Sequence, residues 1–219
     1  MKKYLKLLQE NELFSNFKLN NLENILNCLS AKISNYSKKD IIIHQGENTG
    51  FIGIVLSGTV QIIKEDSEGN INILSNLRAN EIFAETFAYA RIKESPVTVQ
   101  AEEDCEILFI DSGKIIKTCS NACIFHTNLI ENMLSMIAKK NILLNQKIEI
   151  LSKRSIREKL QTFLNIQSEL NHSKKFLIPY NREALAFFLC TDRSALSREL
   201  CSMRDDGLIS FSKNEFEIL

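Results

Sequence analysis

Pro179-Tyr180-Asn181-Arg182-Glu183-Ala184-Leu185-Ala186-Phe187-Phe188-Leu189-Cys190-Thr191-Asp192-Arg193-Ser194-Ala195-Leu196-Ser197-Arg198-Glu199-Leu200 reads as two short helices joined by a tight turn. Pro179 stops anything helical before it. Asn181, whose side-chain oxygen accepts a backbone N–H, suits the N-cap of a helix running to about Cys190. Leu185, Phe188 and Leu189 give that helix one apolar face. Thr191 or Asp192 caps the second helix, on which Leu196, Leu200 and Met203 face inward and Arg193, Ser194, Ser197 and Arg198 face the other way. With small Ala186 at the expected crossing, this is the pattern of a helix-turn-helix. An α-helix fits the major groove of B-DNA, where arginine grips guanine O6 and N7 and serine donates or accepts. A structural helical pair with solvated arginines is the competing reading. Gly207-Leu208-Ile209, Phe211 and Phe216-Glu217-Ile218-Leu219 around Lys213-Asn214 then read as a compact hairpin, which makes the unit a winged helix-turn-helix.

Upstream of this stretch, Ser152 to about Ser168 is amphipathic through Ile156, Leu160, Phe163 and Leu164, and Asn171-His172-Ser173 breaks it. From about Cys123 to Leu151 no glycine or proline appears, and Ile130, Leu134, Ile137, Asn141, Leu144, Ile148 and Leu151 step by 4, 3, 4, 3, 4 and 3 residues. That is the a/d seam of a coiled coil, in which a single Asn costs stability but selects register and a parallel pair. Leu129, Met133, Met136 and Leu143 form a second stripe. The helix is therefore expected to pack on its own domain with one side and on a twin helix with the other. This predicts a homodimer with Ile130, Leu134, Ile137, Asn141, Leu144 and Ile148 at the seam. A single buried helix inside a monomer is the alternative.

Before the long helix the period is two. Ile41-Ile42-Ile43, Phe51 to Leu56, Val60 to Ile63, Ile71 to Leu74, Val97 to Ala101 and Ile107 to Ile110 are short runs rich in β-branched residues. Gly46, Gly50, Gly58 and Glu68-Gly69-Asn70 separate them, and Gly69 with Asn70 suits a hairpin that needs positive φ. Such spacing reads as an antiparallel barrel or jelly roll. Residues 1–30 return to helical spacing, broken near Ser15 and Asn16. The expected fold class is α+β: an N-terminal double-stranded antiparallel β-barrel with leading helices over 1–122, a long dimerisation helix over 123–151, and a winged helix-turn-helix over 152–219.

Composition narrows the function classes. The chain has 219 residues, 44% of them hydrophobic, with 27 Lys+Arg against 27 Asp+Glu, so no global field marks a nucleic-acid or membrane binder. Residues 151–219 hold 11 basic against 9 acidic side chains, too even a balance to argue from. No apolar run approaches a membrane span, and Gln9-Glu10-Asn11-Glu12 interrupts any signal-peptide core after Lys2, Lys3 and Lys6, so a cytoplasmic location without membrane contact is expected. The six cysteines are too sparse for a disulfide scaffold and read as ordinary thiols. No phosphate-cradling glycine loop, nucleophile elbow or metalloprotease helix is present, which predicts a protein that is not an enzyme.

The whole sequence resembles the Crp/Fnr family of bacterial transcription regulators. The resemblance rests on Gln45-Gly46-Glu47 and Leu56-Ser57-Gly58 in the barrel, the long helix, and above all Ala186 to Ile209, with Asp192-Arg193-Ser194, Ser197-Arg198-Glu199-Leu200 and Gly207-Leu208-Ile209. It implies that Arg193, Ser194 and Arg198 read bases, while Asn181, Arg182, Thr191 and Ser197 hold phosphates and fix register. It also implies double-stranded DNA, a second copy of the chain and RNA polymerase as partners, with a small-molecule effector at the barrel. Cys190 departs from the family, which commonly has glycine at that turn.

In the family's cyclic-nucleotide binders, a Gly-Glu-Leu-like segment and a following Arg-Ser pair hold the nucleotide. Here Phe83-Ala84-Glu85-Thr86 and Ser95-Pro96 stand there, so Glu85, Thr86 and Ser95 are the expected effector-pocket residues. No Arg is at the matching position, Pro96 has no N–H for an anion, and Arg91 or Lys93 would have to reach in from a shifted loop. cAMP is therefore not expected and no cofactor or metal is assigned. Iron–sulfur members carry an N-terminal cysteine cluster, where this chain has only Cys28. Cys119 and Cys123, with His126 beyond, leave a thiol or metal redox sensor as one alternative. A ligand-binding module acting through protein contacts is the other.

Overall fold

The computed structural model describes residues 1–66, 68, 71–116 and 124–219, and divides into two compact units, Met1–Ile137 and Ala138–Leu219. The expected hairpin turn at Gly69-Asn70 and the pair Cys119 and Cys123 lie outside the described residues.

Unit 1 contains two four-stranded antiparallel sheets. One holds β1 (Lys32–Tyr36), β8 (Cys105–Asp111), β3 (Phe51–Ser57) and β6 (Ile82–Phe83) in that order; the other holds β2 (Ile41–Ile43), β7 (Thr98–Ala101), β4 (Val60–Glu65) and β5 (Ile71–Leu77). The pairs β1/β8, β2/β7, β3/β6 and β4/β5 nest like one long folded hairpin, the connectivity of a jelly roll. β1 and β6 were not among the expected strands. Lys32-Ile33-Ser34-Asn35-Tyr36 lacks the β-branched density that marks a strand, and β6 is only two residues long.

β3 is the central layer. Its residues Ile52 to Leu56 are buried on both faces, which is why the run is continuously apolar instead of alternating. Ile52, Ile54 and Leu56 join Leu108 and Ile110 under the helices, against Leu22, Ile25 and Leu26 of α2 (Leu19–Cys28) and Leu129, Met133 and Met136 of α5 (Ile124–Leu151). Val55 and Ile107 face the other way, onto Ile42, Ile43, Val60, Val99 and Ala101 of the second sheet. β5 behaves differently. It is a sheet edge, and Ile71, Ile73 and Leu74 are exposed rather than part of the core.

Two glycines are required by geometry rather than by flexibility. A Cβ at Gly53 would lie 2.1 Å from the tip of the Phe83 ring, which covers that residue. Gly58, with φ +79° between β3 and β4, would place a Cβ 2.5 Å from the carbonyl oxygen of Asp104. Gly46 has φ +89° but open space around it. Gly46→Ala is therefore expected to lose about 1 kcal/mol for the left-handed backbone. Gly58→Ala should lose a further ~1–3 kcal/mol for crowding against main chain that cannot swing away. Urea unfolding of the two variants checks this, and equal losses would contradict it.

Candidate nucleic-acid interface

Unit 2 is built on α6 (Ile156–Leu170), α7 (Arg182–Phe188), α8 (Arg193–Asp205) and a three-stranded antiparallel sheet of β10 (Ile209–Ser212), β11 (Glu215–Ile218) and β9 (Lys175–Leu177). Leu160, Phe163 and Leu164 of α6, Leu185, Ala186 and Leu189, and Leu196, Leu200 and Met203 of α8 share one core with Ile209 and Phe216. α6 starts at Ile156 and not at Ser152. Ser155 is its N-cap, accepting the Glu158 N–H while the Glu158 carboxylate accepts the Ser155 N–H. β9 was not anticipated; it adds a third strand through Phe176, which pairs with Phe216 and is buried beside it.

The two helices end in the same way. After α7, the Cys190 N–H donates to the Phe187 carbonyl (3.1 Å) and the Thr191 N–H to the Ala186 carbonyl (3.0 Å). After α8, the Gly207 N–H donates to Arg204 (2.9 Å) and the Leu208 N–H to Met203 (3.0 Å). Both are Schellman closures, and each needs one left-handed residue. Gly207 takes φ +72° freely, whereas Cys190 takes φ +49° with a Cβ attached. The Lys159 ammonium reaches the Leu189 carbonyl at 3.2 Å and helps close α7.

α8 is held from below and capped at its start. Arg157 donates through Nε to Glu199 (2.6 Å), through Nη1 to Asp206 (2.6 Å) and through Nη2 to Ser202 (2.8 Å), tying α6 to the middle and end of α8. Asp192 is the N-cap, accepting the Ser194 N–H (2.8 Å) and Ala195 N–H (3.1 Å). The Ser194 hydroxyl first, then these amides, hold the Asp192 carboxyl below its ordinary range. It is therefore charged at neutral pH, at the helix end that favours a negative group.

The expected DNA-facing residues divide by their engagement. Arg193 and Arg198 are exposed, on the helix that buries Leu196, Leu200 and Met203. The Ser194 hydroxyl is 2.5 Å from the Asp192 carboxylate, and the Ser197 hydroxyl donates to the Arg193 carbonyl at 2.9 Å, so both are already used within the helix. Asn181 caps α7 by accepting the Ala184 N–H at 2.8 Å, and Thr191 is half-buried in the turn. Arg182 lies over the Phe211 and Phe216 rings of the wing, 5.0 and 5.1 Å from their centroids. Burial lowers its pKa from the usual value, and its Nη1 is buried without a hydrogen-bond partner.

The expected seam residues on α5 differ in exposure. Leu134, Leu144 and Ile148 are 63, 61 and 64% exposed, large apolar side chains turned to water. Asn141 is exposed and accepts from the Asn145 amide at 2.8 Å. Ile130 and Ile137 are half-buried, Ile137 against the core of its own unit. Of the second stripe, Leu129, Met133 and Met136 are buried, while Leu143 is exposed.

The expected effector residues are less well gathered. Glu85 is buried at the start of α3 (Glu85–Tyr89), just after Ala84 in the left-handed conformation (φ +64°) that a glycine would adopt freely. Thr86 is exposed, its hydroxyl 3.4 Å from Glu85 Oε1. Ser95 is buried, and its hydroxyl both donates to the Val97 carbonyl (2.6 Å) and accepts the Val97 N–H (3.3 Å). Among the described residues there is no group of three or more His, Cys, Asp and Glu placed to hold a metal ion, and no helix long and apolar enough to cross a membrane.

The left-handed turn makes a direct prediction. Cys190→Gly should stabilise unit 2 by roughly 0.5–1 kcal/mol, the relief of the Cβ strain less the entropy of a freer unfolded chain. A thermal melt reads this as a raised midpoint, and a lowered one would contradict the strained-turn account.

Residues 33–122 match the sequence family of the cyclic nucleotide-binding domain. The chain is 24% identical over 182 residues to the cAMP-activated global transcriptional regulator CRP of Salmonella typhimurium, covering 81% of this chain and 85% of that protein. In fold it is similar to the catabolite activator protein of Thermus thermophilus (TM-score 0.55, 19% identity, 95% of this chain and 94% of that one). It is also similar in fold to DNR from Pseudomonas aeruginosa (TM-score 0.53, 20% identity, 100% and 95%). Residues 33–122 thus match the cyclic nucleotide-binding domain, the sequence is similar to the CRP transcriptional regulators, and the fold is that of the catabolite activator protein and DNR structures.

Proposed function

We propose that the chain is a sequence-specific DNA-binding regulator, acting as a homodimer on a near-palindromic site in the cytoplasm under control of a signal received by the β-domain. The observation that carries this reading is the bare face of α8. Arg193 and Arg198 stand in solvent, while Arg157 and the Leu196, Leu200 and Met203 core hold the helix that bears them. Of the expected base-reading set, these two guanidiniums carry the readout, and Ser194 serves chiefly as part of the cap. Asn181, Arg182 and Thr191 remain the phosphate-side set, while Ser197, whose hydroxyl is donated to the Arg193 carbonyl, drops out of it.

Dimerisation supplies the second half-site. Five exposed apolar side chains on one helix, Leu134, Ile142, Leu143, Leu144 and Ile148, are a costly surface in water and fit a twin helix, with Asn141 setting the register. Two recognition helices then enter the major groove about one turn, ~34 Å, apart. The mechanism is a population shift: a signal at the β-domain changes the balance between arrangements of the paired helices, and so the spacing of the two α8 helices. RNA polymerase is the expected partner downstream. cAMP, named for the relatives, is not carried over, because the Ser95 hydroxyl is occupied by Val97 and Pro96 offers no N–H to a phosphate.

Selection from a pool of random duplexes tests the reading. An enriched near-palindrome is expected; no enrichment would favour a module that works through protein contacts. On the selected site, Arg198→Ala should cost about 1–3 kcal/mol and relax discrimination at one base pair per half-site. Equal weakening on every sequence would instead make Arg198 a phosphate contact. Leu144→Asp with Ile148→Asp should give a monomer by sedimentation and abolish tight binding to the two-half-site duplex.

A further inference from the structure

At one end of the sheet β1-β8-β3, a groove of about 660 Å3 opens between that sheet and the chain leaving β2. Its wall is aromatic. Phe51 and Phe109 meet edge to face at 5.0 Å and 89°, and Tyr36 meets Phe109 at 6.3 Å and 74°. Lys32 pairs directly with Phe109 across β1 and β8, and Asp111 pairs with Phe51 across β8 and β3. Residues directly opposite in an antiparallel pair, and residues two apart on a strand, share one face. The ammonium, the carboxylate and the three rings therefore rise from the same face of the sheet. Glu47, in the loop between β2 and β3, brings a second carboxylate to the groove.

The charges are unspent. Among the described residues none of Lys32, Glu47 and Asp111 forms an ion pair, although all three line one groove. Each carboxylate is instead anchored by local backbone. Glu47 accepts the His44 N–H at 2.9 Å, and Asp111 accepts the Gly113 N–H at 2.8 Å. Opposite charges held around an aromatic wall without meeting are complementary to a ligand that carries both signs and an aromatic body. The volume is in the range of small-molecule sites, which combine an apolar lining with a few placed polar groups.

We propose that this groove binds an α-amino acid with an aromatic side chain. Its ammonium lies toward Glu47 and Asp111, its carboxylate toward Lys32, and its ring against Phe51 and Phe109, where a further ring extends the edge-to-face packing. The site is separate from Glu85, Thr86 and Ser95, none of which lines the groove. It gives the β-domain a ligand class of its own, independent of whether the chain binds DNA.

Calorimetric titration of the full chain with L-phenylalanine tests it. Saturable binding is expected, with 2-phenylethylamine and 3-phenylpropanoate, each lacking one charge, at least about ten-fold weaker. Lys32→Met should erase the preference for L-phenylalanine over 2-phenylethylamine, and Asp111→Asn, which can still accept the Gly113 N–H, should weaken the preference over 3-phenylpropanoate. No saturable heat up to about 10 mM L-phenylalanine, or equal binding of either singly charged analogue, would overturn the proposal. The analogue comparison uses the unaltered protein and so does not depend on any variant folding. Neither outcome bears on the duplex selection, so the two readings fail separately.

Discussion

The contact on which unit 2 depends is the three-way grip of Arg157 on Glu199, Ser202 and Asp206. α8 is buried on one side and bare on the other, and a helix with a bare charged side is held only by what lies beneath it. Leu196, Leu200 and Met203 provide the apolar adhesion, which is non-directional and would tolerate some rotation. The planar guanidinium does not: its fork engages partners on successive turns of α8 only at one rotation of the helix about its axis. Arg193 and Arg198 consequently project on the solvent side in a fixed orientation, and Asp192 fixes where the helix begins. Specific base contact requires such prior placement, because the ordering cost is then met in folding and not at each binding event.

The β-domain solves a different problem, that of a sheet covered on both faces. β3 contributes Ile52, Ile54 and Leu56 to one core and Val55 to the other, so it couples the helical cover to the interior of the jelly roll. α5 repeats this two-sidedness. Its Leu129, Met133 and Met136 are sealed in the core of unit 1, while Leu134 is turned to solvent on the same helix. The core of unit 1 and the proposed seam thus share one helix, through which the proposed control would act. Bistable packing, not continuous deformation, is the usual basis of such a route.

The recognisable parts of the chain were those whose structure is set locally. The caps at Asn181 and Asp192, the inward Leu196-Leu200-Met203 row and the uninterrupted run to Leu151 depend on spacing within a few turns, and each stands where its spacing placed it. What escaped depends on distant partners. β1 is polar enough to pass for loop and becomes a strand because β8 pairs with it; β9 is three residues long and exists because Phe176 meets Phe216. The edge position of β5 is likewise a matter of topology, which leaves no mark on Ile71, Ile73 and Leu74 themselves. On α8 the residue types able to touch DNA are legible in the sequence, but the hydrogen bonds that spend the Ser194 and Ser197 hydroxyls inside the helix are not. The stacking of Arg182 on the wing depends on a hairpin some thirty residues downstream, beyond the reach of any local pattern.

The most direct measurement of the central claim is protection of guanine N7 from methylation on the selected duplex. Two protected major-groove patches about 10 base pairs apart, both lost when Arg193 and Arg198 are replaced by alanine, are the predicted result. A single patch, or two that survive those replacements, would contradict it.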